Sequence, residues 1–247
     1  AGFNEYAAFV AKAHRRNIRI IADVVTWGTT EDSPILDSYP EWYQRDEEGN
    51  LVPKYGGVLY DWNNGDLQAW YAAQLEKFIL ITDCDGLRID CAPQYVPEGF
   101  FEALQQHMRE THGKYIAIIS EGRTENRTDY DTEINFLHDA GDFYKLTAND
   151  ITDNWFYLKN KNIVDSINDG FLLRKTSENN VLSSELSPEY YSGEGKFKYY
   201  INILSNHDND YYVSQGNRLA FGYQTIFSPF IPLFYIGEEW NNTHKGS

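Results

Sequence analysis

The sequence predicts an α/β protein built on parallel strands, and three observations carry that reading. Short apolar runs rich in β-branched residues alternate with segments whose apolar residues recur at helical spacing, the pattern of βαβ units. The runs are apolar on both faces, as strands covered on both sides should be. Each run also carries an acidic residue at or near its end.

Taken in order, FNEYAAFVAKAHRR (3–16) places Phe3, Tyr6, Phe9, Val10 and Ala13 on one helical face. IRIIADVV (18–25) is the first strand run, followed by CDGLRIDC (84–91), YIAIISE (115–121), YYINILSNHD (199–208) and FIPLFYIGEE (230–239). DLQAWYAAQLEKFIL (66–80) reads as a helix that opens on an Asp. PEGFFEALQQHMRETHG (97–113) reads as another, with Pro97 at its start and Gly113 just past its end. Residues 26–65 form a long polar loop excursion rich in Gly, Pro and Asp. Such excursions inside an α/β domain usually serve function, often at the mouth of a site. Residues 122–198 hold one more expected strand, a helix near 154–168 and a loop. No repeat, low-complexity tract or linker divides the chain, so 1–247 reads as one domain.

Composition narrows the function classes. A formal net charge of −16 argues against a nucleic-acid partner, which needs clustered Lys and Arg. No apolar run approaches the roughly 20 residues of a membrane span, so no membrane partner is expected. Aromatic residues make up 16% of the chain, with 19 Tyr, which serves either a packed core or a sugar-lining cleft. The two cysteines, Cys84 and Cys91, fall in one extended run about 20 Å apart, well beyond disulfide reach, and are expected to be free of each other.

The acidic residues are Asp23, Asp90, Glu121 and Asp208, with Glu238 and Glu239 closing the fifth run. At the C-terminal ends of parallel barrel strands, these groups would converge on one mouth. An Asp after a strand is also a common helix N-cap. For Asp90 that bland role is weakened by Arg88, two residues earlier and therefore on the same strand face. Converging carboxylates permit a metal site or cleavage of a glycosidic bond. Metal-dependent enzymes of this architecture usually add several His or a Lys, yet only His207 sits at a strand end. His14, His107 and His112 fall in helices, and His138 and His244 in segments the pattern does not place. Retaining cleavage needs one nucleophilic carboxylate and one protonated carboxyl about 5 Å apart, which matches this inventory better.

The stretches IRIIADVV, DGLRID, IISEGR and LSNHD, in this order, resemble the four motif regions of the α-amylase family (glycoside hydrolase family 13). FIPLFYIGEEW resembles the family's eighth strand, and YPEWYQRDEEGNL with YDWNNGDLQAW the segment leading to the fourth. The resemblance implies a TIM (β/α)8-type barrel, incomplete as given, with about strands 3 to 8 present. It implies a retaining glycoside hydrolase acting on α-glucosidic bonds of α-glucans or oligosaccharides through a covalent glycosyl-enzyme. A glucanotransferase shares the same first step. A non-catalytic sugar-binding or partner-binding relative is the third reading, although such relatives typically lose the nucleophile or the acid. By position, Asp90 is the implied nucleophile, Glu121 the acid/base and Asp208 the carboxylate that grips the sugar. Arg88 would hold Asp90 ionised, and His207 would bond the same sugar or serve as a satisfied strand-end histidine.

Two departures from the family pattern carry expectations. Where the family commonly has D-x-x-x-N-H, the positions after Asp23 hold Trp27 and Gly28. The Asn that helps bind calcium is thus Trp27, so no calcium is expected to bridge this motif and the 26–65 excursion. No other cofactor is required. Trp27 would replace the lost sugar contact by stacking, and Asp23 reads as structural or substrate-binding. The second departure is the strand count, about six of eight. The missing strands are expected from a longer chain or a second polypeptide, since an open barrel leaves two exposed edges.

Overall fold

The computed structural model describes residues 2–92, 94–121, 130, 132–135, 199–203 and 231–237. The chain divides into two units, Ala1–Asp131 and Thr132–Ser247. The first contains α1 (Gly2–His14), β1 (Ile21–Val25), β2 (Gly28–Thr29), α2 (Pro34–Ser38), a 3-10 turn at Pro40–Trp42, β3 (Pro53–Lys54), β4 (Gly57–Leu59), α3 (Gly65–Thr82), β5 (Gly86–Asp90), α4 (Phe100–His112) and β6 (Ala117–Ser120). The second contains β7 (Thr132–Asn135), β8 (Tyr199–Ile203) and β9 (Ile231–Leu233), with β7 parallel to β8 and β8 parallel to β9. The expected helix near 154–168 lies outside the described residues.

In the first unit β1, β5 and β6 are parallel neighbours joined by α3 and α4, as the alternating pattern requires. Leu87 and Ile89 of β5 are fully buried, while Arg88 and Asp90 point to the other side. The buried side belongs to one apolar cluster with Leu75 and Ile79 of α3 and Phe101, Leu104 and Met108 of α4. In α3, Leu67, Tyr71, Leu75 and Ile79 recur every fourth residue and form the buried stripe. Asn64 caps its start by accepting from the N–H groups of Asp66 (2.9 Å) and Leu67 (3.1 Å).

Among the described residues there are six parallel strands in two runs of three and no closed eight-strand barrel. Three local expectations change. β1 is not apolar-buried on both faces, since Ile21, Asp23 and Val25 are exposed and only Ala22 is buried. On α1 only Val10 and Ala13 are buried. Phe3 and Phe9 are each 53% exposed, because the helix covers the core with one turn-length of its apolar face and leaves the rest to edge contacts such as Phe3 on Phe78. Finally, α4 starts at Phe100 rather than Pro97, because Gly99 at φ 85° breaks the helical path just before it. Its end is as expected: Gly113, at φ 63°, donates its N–H to Arg109.

The 26–65 stretch has structure of its own. β2, β4 and β3 form an antiparallel sheet in that order, and Trp42, Tyr43, Val58, Tyr60 and Trp62 lie in the apolar cluster. Trp62 Nε1 donates to the Thr26 carbonyl at 2.8 Å and the Tyr71 hydroxyl to Val25, which pins the end of β1. A two-residue turn, Tyr55-Gly56, joins β3 to β4 with both φ angles positive (48° and 79°), the backbone of a twisted hairpin turn. At the opposite strand ends Asp85 ties three segments together, accepting from Ile20 N–H, His14 and Arg19, each at 2.8 Å. No described helix is long and apolar enough to cross a membrane.

Candidate active site

The register of the parallel strands sets the site. Asp23 pairs with Arg88 across β1 and β5, and Ile89 pairs with Ser120 across β5 and β6. The residue after Ser120, Glu121, therefore comes level with Asp90 at the C-terminal strand ends. Strand periodicity turns Arg88 and Asp90 to the same side, and Arg88 Nη1 donates to Asp90 Oδ1 at 2.8 Å. Its other arm, Nη2, donates to Glu121 Oε1 at 2.5 Å, and Nη1 also reaches both oxygens of Asp23 at 3.0 Å.

Arg88 is thus a cation among three carboxylates, with its side chain only 12% exposed. Burial works against its charge. The Glu121 and Asp23 carboxylates, with hydrogen bonds to Asp23 and Asp90, outweigh that and raise its pKa above the ordinary value. Asp90 and Glu121 are mostly covered, while the Asp23 side chain is 61% exposed. Ligand-capable oxygens of Asp90 and Glu121 lie within 4.8 Å of each other. The Cys91 sulfur shares that radius and completes a metal-like cluster, but the Arg88 guanidinium already lies between the two carboxylates.

Two neighbours were not legible as site residues in the sequence. Cys91 follows Asp90 with φ 55°, a left-handed conformation uncommon outside glycine and costly enough to mark functional turns. Its N–H donates to Glu121 Oε2 at 2.6 Å, and its sulfur lies 3.6 Å from Asp90 Oδ2. Burial, then the Asp90 and Glu121 charges, push the Cys91 thiol up to about 11. Tyr55, at the tip of the β3–β4 turn, lies close enough to that thiol for the two groups to influence each other electrostatically. The only sequence signal for Tyr55 was the turn-forming Gly-Gly that follows it.

Trp27 is half-buried against Tyr55, with ring centroids 5.4 Å apart and edge-on. Its carbonyl accepts from Tyr60 N–H at 2.9 Å, which ties the first motif to the antiparallel sheet by backbone pairing. Asp208, His207, Glu238 and Glu239 lie outside the described residues. Cys84 and Cys91 are both free.

No protein-family model matches the chain, and no curated protein sequence matches it. Solved structures do. Over 97% of this chain a maltogenic α-amylase from Thermotoga neapolitana superposes with a TM-score of 0.69 at 20% identity. The fold is that of the α-amylases. An α-amylase from Lactobacillus plantarum matches over 97% of the chain with a TM-score of 0.68 at 20% identity. A cyclic α-maltosyl-(1→6)-maltose hydrolase from Arthrobacter globiformis matches over 96% with a TM-score of 0.66 at 16% identity. The chain spans about half the length of these structures: 51%, 55% and 55%. At such identities the likeness is one of fold, and the chemistry rests on this chain's own residues.

Proposed function

We propose that this chain carries the catalytic carboxylates of a retaining glycoside hydrolase acting on α-glucosidic bonds of α-glucans or oligosaccharides. One observation supports this most: Asp90 and Glu121 close the ends of adjacent parallel strands, with oxygens within 4.8 Å, near the about 5 Å separation of retaining pairs. Asp90 attacks the anomeric carbon while the glycosidic C–O bond breaks and Glu121 gives its proton to the leaving oxygen. Water then attacks the anomeric carbon, Glu121 takes its proton, and the Asp90–sugar bond breaks. Asp90 Oδ1 is held by Arg88, which leaves Oδ2, whose hydrogen-bond partner among the described residues is the Cys91 thiol, as the attacking oxygen. Both Glu121 oxygens are occupied, by Arg88 and by Cys91 N–H, so engaging the leaving oxygen requires it to exchange one of these partners. Asp208 and His207 complete the sugar contacts in this reading, and Trp27 with Tyr55 supplies an aromatic wall.

The same reading includes a (β/α)8 barrel of which this chain holds about six strands. Ile18, Ile21 and Val25, at and beside β1, are 52%, 37% and 49% exposed, and a strand from a longer chain or a second polypeptide would cover them. The test of function is the anomeric configuration of the first product from maltooligosaccharides, followed by NMR, with Asp90→Asn as control. The α-anomer from wild type and no turnover from the variant are expected. A β-anomer, or a variant with more than about a per cent of the activity, would sink the mechanism. Products longer than the substrate would identify the transferase form of the same first step, and sugar binding without any turnover the non-catalytic relative.

A further inference from the structure

The imidazoles of His107 and His112 converge on a single oxygen at the far side of the first unit. His107 Nε2 lies 3.0 Å and His112 Nε2 2.7 Å from Glu76 Oε1. One potential ligand atom from each residue falls within 4.8 Å of the other two. The two histidines occupy the last two turns of α4 and Glu76 the second half of α3, halves that run toward the N-terminal strand ends, away from Asp90 and Glu121.

Exposed ion pairs of this kind contribute little to stability, and a single acceptor oxygen does not need two imidazoles. Two His nitrogens and one carboxylate are, however, a common ligand set for zinc, and imidazole disfavours calcium and magnesium. In a tetrahedral zinc site with bonds of about 2.0–2.1 Å, neighbouring ligand atoms are about 3.3 Å apart, so the His107–Glu76 and His112–Glu76 distances of 3.0 and 2.7 Å need to lengthen by only a few tenths of an ångström. Behind His107, its Nδ1 lies 3.3 Å from the Thr111 hydroxyl, the outer partner that fixes a ligating imidazole's tautomer. The hydrogen bonds from His107 and His112, in that order, hold the Glu76 carboxyl below its usual range despite partial burial. Independently, Glu76 and His107 line one end of a groove of about 590 Å³ between α3 and α4, floored by Ala72, Ala73 and Ala103.

We propose that Glu76, His107 and His112 form a zinc site that clasps α3 to α4, with its fourth coordination position open to the groove. A metal bound only to the folded state stabilises it by mass action, and this one joins the two helices packed behind β5.

The test uses chelator-stripped protein titrated with zinc, and with cobalt as the spectroscopic probe. The expected result is one equivalent bound, a tetrahedral cobalt spectrum, and a Tm raised by about 5–10 °C at a hundredfold excess over Kd. Magnesium at the same concentration gives no shift. His107→Ala and His112→Ala each lower zinc affinity by about tenfold or more, and Thr111→Val, which touches no metal, by about tenfold. Glu76→Gln keeps the side-chain shape and weakens binding without the repacking an alanine would cause. His14→Ala, at the separate His14–Asp85 pair, leaves affinity unchanged. No saturable zinc binding, full affinity in a folded His107→Ala/His112→Ala double variant, or loss of binding in His14→Ala would each overturn the assignment.

Discussion

Replacing Arg88 by Met tests the electrostatics of the carboxylate site. The side chain is 12% exposed and donates to Asp90, Glu121 and Asp23. Met keeps much of the apolar stem and removes the charge, leaving the Asp90 and Glu121 carboxylates facing each other. Two unit charges no more than 4.8 Å apart repel by about 3.5 kcal/mol or more at an effective dielectric of about 20. Removing one partner of a largely buried ion pair typically costs about 3–5 kcal/mol, and the exposed Asp23 adds little. We therefore expect Arg88→Met to lose about 3–5 kcal/mol at pH 7, read by urea denaturation with an unchanged m-value. A loss below about 1 kcal/mol at pH 7 would refute the role given to Arg88.

Other perturbations read separate parts of the structure. With its thiol pushed up to about 11, Cys91 should alkylate about a hundredfold more slowly than an ordinary exposed cysteine at pH 8, and its rate should climb toward pH 11; an ordinary rate would contradict the burial and charge assigned to it. Burial opposes the Asp85 charge, but bonds from Ile20, His14 and Arg19 outweigh it and depress its folded pKa. Its contribution is therefore present above the ordinary carboxylate value and lost as pH falls through the depressed one, so Asp85→Asn should cost about 2 kcal/mol at pH 7 and little in acid. Calcium added to chelator-stripped protein should leave Tm unchanged, because Trp27 stands where the family's calcium-binding Asn would; a rise of several degrees would mean that other oxygens rebuild that site.

How far the sequence could be read depends on how local the determining physics is. The Arg88–Asp90 pair follows from two-residue strand periodicity, and the level placement of Glu121 from parallel pairing of runs that both end in an acid. Leu67, Tyr71, Leu75 and Ile79 were legible for the same reason, as helical spacing fixes a face. Phe3 and Phe9 were not, because periodicity defines which residues share a face but not how much of it a neighbour covers. The 26–65 stretch read as loop because its strands are two or three residues long and its core is aromatic rather than alternating. Cys91 and Tyr55 escaped for a third reason. Each acts through a positive-φ turn and a contact between residues 36 positions apart, which no short-range pattern encodes.

The most direct measurement is to trap the covalent intermediate with a fluorinated α-glucosyl fluoride, whose good leaving group speeds the first step while the fluorine slows the second. The labelled peptide is then located by mass spectrometry. A single sugar on Asp90, absent from Asp90→Asn and released on adding an acceptor, is the expected result. A label on any other residue, or turnover of the fluoride to the β-product with no adduct, would contradict the assignment of Asp90 as nucleophile.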